Sequence, residues 1–320
     1  MWFFEALLLA VGDGGLAPRP MRVPAGIFQV SVNPEPSGLA WAAPLARYLV
    51  VSDDTGLREA GTNHAPFVFA MSADGALDAE PVPIRGLDKL NDAESITPGP
   101  PGTFFLATSH SADKRGRVKP ERCMLLQLAL EGRALKVLGR VDLRTARTGE
   151  KSLLALAGLD PAGLLDIEAI AFRDGALYIG LKSPLARSGS AVILKLADAA
   201  RVVQAGRLPE GGVAPFLEVP LKVRGPDGSE VSQGIADLAF LADGSLVLAA
   251  NSPKHAPADG GGAVWLLRHP GAGPAHPAIL RRFPGKKPEG VAPTPDGASL
   301  LVVFDENQNP PLWTELPAPR

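Results

Sequence analysis

Along this chain apolar residues come in short runs separated by turn residues, and one arrangement of the two recurs. An acidic or small polar residue precedes a short apolar strand. A turn and a second apolar strand follow, and a polar cluster ends the unit. The first copy reads Pro36-Ser37-Gly38-Leu39-Ala40, Tyr48-Leu49-Val50-Val51, Ser52-Asp53-Asp54. The second reads Asp92-Ala93-Glu94-Ser95-Ile96, Phe104-Phe105-Leu106-Ala107, Thr108-Ser109-His110. The third reads Asp166-Ile167-Glu168-Ala169-Ile170, Leu177-Tyr178-Ile179-Gly180, Lys182-Ser183. The fourth reads Gly234-Ile235-Ala236-Asp237-Leu238, Leu246-Val247-Leu248, Asn251-Ser252. The fifth reads Pro288-Glu289-Gly290-Val291, Leu300-Leu301-Val302-Val303, Asp305-Glu306. Asp174-Gly175, Asp243-Gly244 and Asp296-Gly297 sit between the paired runs of the last three copies. Asp-Gly between apolar runs is the strongest short-range signal of a β-hairpin.

Aligned this way, the copies share an anchor position occupied by Ser37, Glu94, Glu168, Ala236 and Glu289. The anchors are spaced 57, 74, 68 and 53 residues apart, longer than propeller repeats of roughly 40–50 residues, so insertions are expected. Each unit has room for two further strands, such as residues 191–196 and 216–219 in the third and 263–267 and 278–280 in the fourth. The pattern predicts an all-β chain, a β-propeller of five four-stranded blades (six being the alternative), in one domain over residues 1–320. The fifth unit has only residues 312–316 left for a third strand. Its outer strand is therefore expected from the N-terminal run Ile27-Phe28-Gln29-Val30, which would join the last blade, close the ring and remove a free edge. Residues 144–165 read as a helical insertion, because Ser152-Leu153-Leu154-Ala155-Leu156 carries helix formers and no turn signal.

Composition narrows the partners. A 46% hydrophobic content supports a sizeable core, and with aromatics at 6% Val, Leu and Ala must fill it. The net charge is −2, so no basic excess points to nucleic acid and no acidic tail points to disorder. Cys123 is the only cysteine, which excludes a disulfide framework and a thiolate zinc site. In the run Cys123-Met124-Leu125-Leu126 it reads as a small buried hydrophobe. Residues 1–11 are apolar apart from Glu5, too short to span a bilayer and without the basic start of a signal peptide. Residues 1–20 are set aside as an N-terminal extension, with Met21 an alternative start. The expected compartment is the cytoplasm, secretion being the alternative, with no membrane partner.

In a propeller the first strand of each blade lines the central channel. The acid before strand one and the polar cluster after strand two then converge at one channel mouth. Asp92/Glu94 and Asp166/Glu168 are i, i+2 pairs whose side chains point the same way within a strand. One mouth would thus collect Glu35, Asp53, Asp54, Asp92, Glu94, Asp166, Glu168, Asp237, Glu289, Asp305 and Glu306. So many carboxylates must be protonated or paired with cations. A hard metal ion is one source, Ca2+ first and Mg2+ as the alternative. The chain's own bases are the other: His110, Lys114, Arg115, Arg117, Lys119 and Arg122 after the second unit, then Lys182, Arg187, Lys254, His255, Lys286 and Lys287. The expected metal ligands are Glu35, Glu94, Glu168, Asp237, Glu289 and Asp305. His110, Asp166 and Glu168 are expected to carry the chemistry. Ser109, Arg115, Lys182, Asn251 and Lys287 are expected to hold an anionic substrate. Against this stands a structural reading: Asp and Asn close turns and satisfy backbone donors, a basic loop is a solvated surface, and a His between serines belongs to a polar loop. The sequence has no nucleophile elbow, phosphate loop, dinucleotide fingerprint or His-rich zinc motif.

The run from Ser109-His110 through the basic residues to Glu121-Arg122 resembles the signature of the bacterial domain-of-unknown-function family numbered 3616. So do Asp166-Ile167-Glu168-Ala169-Ile170-Ala171, Ile179-Gly180-Leu181-Lys182-Ser183-Pro184, Gly234-Ile235-Ala236-Asp237-Leu238 and Glu289-Gly290-Val291. The resemblance covers residues 35–306. It implies a propeller related to phytase-like and lactonase-like ones, whose channel carboxylates hold Ca2+; the family supplies no established activity. Lys182 and Ala236 stand where the family is expected to carry Arg, which weakens an anion site built on those arginines.

Two functions compete on these grounds. One is a metal-dependent hydrolase of a small anionic or ester substrate, a phosphoester or lactone. The other is a non-catalytic propeller that presents the loops at 111–119 and 254–262 to a protein or glycan partner.

Overall fold

The computed structural model describes residues 17–29, 34–53, 66–113, 115–144, 151–160, 164–252, 261–306 and 310–319. Asp54, Lys114, Lys254 and His255 lie outside the described residues.

The described residues are all-β with two short α-helices and three 3-10 turns. The chain opens with β1 (Arg19–Pro20) and continues as antiparallel meanders. The first is β2 (Pro36–Ala42), β3 (Arg47–Ser52), β4 (Phe67–Met71) and β5 (Val82–Arg85). The second is β6 (Ala93–Pro98), β7 (Thr103–Thr108), β8 (Leu125–Glu131) and β9 (Ala134–Val141), followed by α1 (Leu153–Leu156). The third is β10 (Asp166–Arg173), β11 (Ala176–Ser183) and β12 (Ala191–Leu196), then α2 (Ala199–Ala205) and β13 (Val213–Val219). A hairpin, β14 (Lys222–Arg224) with β15 (Glu230–Ser232), leads to the fourth: β16 (Gly234–Phe240), β17 (Leu246–Asn251), β18 (Gly262–Leu267) and β19 (Ala278–Phe283). The last is β20 (Lys287–Pro293), β21 (Ser299–Asp305) and β22 (Leu312–Pro317).

Strand pairing differs in two ways from the expected five separate four-stranded blades. Three sheets are four-stranded, but β2 to β9 form one eight-stranded sheet. It consists of two meanders joined outer edge to outer edge, where β5 runs parallel to β9 through Ile84↔Leu135 and Arg85↔Lys136. That join satisfies backbone groups that two free edges would expose. The closing strand also lies elsewhere than expected. Residues 27–29 belong to a 3-10 helix, Ala25–Gln29, and it is β1 that pairs with β22, through Arg19↔Trp313 and Pro20↔Leu312. The Arg19 guanidinium stacks on the Trp313 ring at 3.9 Å, so part of the segment set aside as an extension belongs to the last sheet. The helical insertion is short: α1 starts at Ser152, whose hydroxyl accepts the N–H of Ala155.

The turns behave as their sequences require. Arg173 pairs with Ala176 across Asp174 (φ 51°) and Gly175 (φ 77°), both left-handed, the tight turn that suits a twisted hairpin. Asp243 and Asp296 instead accept the N–H two residues on, from Ser245 and Ala298.

The innermost strands β2, β6, β10, β16 and β20 contact one another in that order, and β20 returns to β2. Five hydrophobic clusters fill the gaps between successive meanders. Between the first two lie Leu49, Val68, Leu106 and Leu126. Phe105, Ile170, Ile179 and Val202 fill the next gap, and Tyr178, Ile193, Leu248 and Trp265 the one after. Val247, Val264, Val302 and Phe304 follow, and Tyr48, Phe69, Val303 and Trp313 complete the ring. Aliphatic residues carry most of the packing, as the low aromatic content requires. Cys123 is buried, which pushes its thiol up to about 11 and matches the inert reading. No helix among the described residues is long and apolar enough to cross a membrane.

Candidate functional site

Every innermost strand carries a β-bulge at the same place, and the extra residue is the anchor of the sequence repeat. In β2 it is Ser37, between the pairs Pro36↔Ser52 and Gly38↔Val51. In β6 it is Glu94, in β10 Glu168, in β16 Ala236 and in β20 Glu289. A bulge re-aims one side chain and sharpens the local twist. β11 carries a second irregularity of its own: Asp166 pairs with Ser183 and Ile167 with Leu181, which leaves Lys182 as the extra residue. Glycine follows the bulge where strands approach most closely. A Cβ on Gly38 would lie 2.9 Å from the Glu94 carbonyl oxygen and from Ser95 Cα.

These bulges build two adjoining groups of side chains. In the first, one carboxylate oxygen each from Asp53, Asp92 and Glu94 lies within 4.8 Å of the others. Ser37 Oγ donates to Asp53 Oδ1 at 2.9 Å. Arg122 forms an ion pair with Asp92 and donates to Ser111 Oγ at 2.9 Å and Asn91 Oδ1 at 3.2 Å. Ser109 Oγ also donates to Asp92. Burial, then the charges of Asp53 and Asp92, hold the Glu94 carboxyl well above the usual carboxylate range. Burial and Asp92 do the same to Asp53.

The second group centres on Lys182, which is 4% exposed. Its Nζ donates to Glu168 Oε2 at 2.5 Å and lies 3.6 Å from Glu289 Oε2. Burial opposes its charge, but Glu168 and Glu289 outweigh burial and the pKa is raised. Glu289 is pushed up to about 7, by burial first, against the opposing charge of Lys182. Asp166 adds its field to Glu94 and Lys182, and Asp305 to Glu289.

Several expected roles change. Asp237, expected at the metal, lies one residue beyond its bulge and forms a crossbar over the channel. It accepts Ser95 Oγ and the Val291 N–H, each at 2.9 Å, while Ser95 Oγ accepts the Ile170 N–H at 3.1 Å. Its two oxygens are committed to donors from β6 and β20. His110, expected as a base, is fully buried, with Nδ1 on the Thr108 carbonyl at 2.8 Å and Nε2 accepting the Leu143 N–H at 3.2 Å. Both ring nitrogens serve the backbone, and burial lowers its pKa to about 4. Arg115 is exposed on a turn closed by Asp113, and Lys287 is exposed. Asn251 donates to the Pro288 carbonyl at 3.1 Å, beside Glu289. The Glu35 backbone braces Ser37 and Ser52. Of the six expected ligands, only Glu94 belongs to the three-carboxylate group. Asp53 and Asp92 had been placed at the mouth without a role, and Arg122 was one base among several in its loop. The signal for Asp53 and Asp92 is position, directly after strand two and directly before strand one; Arg122 precedes strand three and has no such signal.

No family model matches this sequence, and no curated protein matches it. Among solved structures it is similar to the GH43 β-1,3-galactosidase BT3683 with galactodeoxynojirimycin, at 9% identity and TM-score 0.53, covering 95% of this chain and 94% of that one. It is also similar to a luciferin-regenerating enzyme (9% identity, TM-score 0.43, 94% and 95% covered) and to the RRP9 WD40 repeats (11%, 0.38, 88% and 67%). These likenesses concern the fold, which is propeller-like.

Proposed function

We propose that this chain is a five-bladed propeller acting as a divalent-cation-dependent hydrolase on a small anionic or ester substrate, a phosphoester or lactone. Five inner strands, five bulges and five inter-meander clusters support the blade count, with β2 to β9 supplying two blades fused at their edges. The observation that carries the functional reading is the Asp53, Asp92 and Glu94 group. Three oxygens converge there, two of the acids are pushed toward protonation by burial and mutual repulsion, and only Asp92 has an ion pair among the described residues. Hard carboxylate oxygens at that spacing suit Ca2+, with Mg2+ as the alternative.

Asp53, Asp92 and Glu94 hold the cation in this reading. When bound, such an ion supplies Lewis acidity toward a carbonyl or phosphoryl oxygen. Glu168 is the close hydrogen-bonding partner of Lys182. Glu289, at about 7, exchanges a proton at neutral pH and replaces His110 as the acid–base group. Lys182 and Arg122 supply positive charge for an anionic substrate. The GH43 galactosidase that shares the fold is a hydrolase by name, which accords with this class without indicating a substrate.

The test is thermal unfolding in chelator and then in excess Ca2+ or Mg2+. A cation at 100-fold over its Kd adds about 2.7 kcal/mol, a rise of several degrees for a domain this large. Wild type is expected to show it and Glu94→Gln to lose it. The same shift in Glu94→Gln removes the site. No shift in wild type favours the binding-propeller reading, in which the acids are neutralised by protons and by Lys182 and Arg122.

A further inference from the structure

The channel has a second end, which the hydrolase reading leaves unused. Beyond the Ser95–Asp237 crossbar the five inner strands surround a cavity of about 160 Å3. Each strand contributes to its wall: Trp41 from β2, Thr97 from β6, Phe172 from β10, Phe240 from β16 and Val291 from β20. Among the described residues the wall has no acidic or basic side chain; Thr97 and Trp41 supply its side-chain hydrogen-bonding groups. Trp41, Phe172 and Phe240 are only half-buried and Pro98 is exposed, so the chamber opens to solvent on the side away from the carboxylates. The nearby guanidinium of Arg173 is occupied, 5.2 Å from the centre of the Phe240 ring and donating to the Leu241 carbonyl.

We propose that this chamber binds a small, uncharged aromatic molecule between benzene and indole in size. Three observations fix the class. The volume is about that of an apolar cavity that accepts benzene, roughly 150 Å3. Among the described residues the wall offers a charged ligand no side chain of opposite charge to offset its lost hydration. Trp41, Phe172 and Phe240 offer ring partners, and Thr97 can serve one hydroxyl or N–H on the ligand. The crossbar separates the chamber from Asp53, Asp92 and Glu94, so occupancy is independent of the cation reading.

The experiment is calorimetric titration with benzene, phenol and indole, with chelator present throughout. Wild type is expected to bind at least one of them saturably, one per chain, and Glu94→Gln to bind equally. Ala239→Leu adds side-chain carbons to the wall and is expected to weaken binding tenfold or more without a change in circular dichroism. Thr97→Val keeps the wall's shape, is expected to fold even should Ala239→Leu fail, and should abolish any preference for phenol over benzene. Absence of saturable binding to wild type overturns the proposal. So does equal binding by folded Ala239→Leu, or a phenol preference that survives Thr97→Val.

Discussion

Replacing Glu289 by Gln is expected to stabilise the protein at pH 8 and to leave it unchanged at pH 4. The argument rests on which of two opposing effects wins at this residue. Lys182 lies 3.6 Å away and favours the ionised carboxyl, whereas burial and Glu168 disfavour it. Burial dominates, and the pKa rises from 4.5 to about 7. An acid raised on folding binds its proton more tightly in the native state. Its contribution is therefore fully present below 4.5 and is lost as pH rises through 7. At about 1.4 kcal/mol per tenfold change in the acid constant, the loss across that window is about 3 kcal/mol. Gln has the same shape and no charge to bury, so the variant escapes the loss. Lys182 keeps Glu168 as its close partner, so no buried ammonium is stranded. The assay is urea unfolding of both proteins from pH 4 to 8 in chelator. The difference should open between pH 4.5 and 7 and reach about 3 kcal/mol, or a rise of roughly 6 °C in Tm. A variant equally or less stable at pH 8 would refute the reasoning, because it would mean that the ion pair with Lys182 outweighs burial.

Two further outcomes follow from the buried polar groups. Asp237→Ala removes the acceptor of Ser95 Oγ and of the Val291 N–H, and is expected to cost about 2–5 kcal/mol in urea unfolding while the Ca2+ response persists. His110 has its pKa lowered from 6.5 to about 4, so its contribution is present above 6.5 and lost as pH falls through 4, by about 3 kcal/mol. His110→Gln should remove that acid-side loss, read as a flatter stability curve between pH 6.5 and 4, and an unchanged slope would count against a neutral His110.

Much of the fold was legible because each repeat announces itself twice, by a hydrophobic run and by its turn. The anchor alignment even located the bulges, although nothing in a sequence marks a bulge as such. Three of the anchors are glutamates, but Ser37 and Ala236 are not, so position is what all five share. The parts misread were those decided by partners far along the chain. Whether residues 27–30 or Arg19–Pro20 close the ring depends on which meets β22, and Trp313 decides it by stacking on Arg19. The acids at the mouth looked equivalent, yet Asp237 lies one residue past its bulge and so finds donors across the channel. His110 between serines reads in the sequence as a catalytic base or as part of a polar loop. Its positive φ of 55° and two backbone partners show a ring locked into place.

Lys182 and Ala236 occupy one sector of the mouth together. Lys182 reaches Glu168 on β10 and Glu289 on β20, the neighbours on either side of β16 in the ring. Its ammonium therefore spans the sector where β16 presents its own anchor, and that anchor is Ala236, a single methyl group. An Arg at the Ala236 position would bring a second cation to the same two carboxylates and compete with Lys182 for them. The extra residue that frees Lys182 from the β11 pairing and the short side chain at the neighbouring anchor therefore fit one another. The result is a mouth divided into a sector neutralised by Lys182 and a sector, at Asp53, Asp92 and Glu94, where Arg122 pairs with Asp92 and the remaining charge is met by protons in the chelated protein.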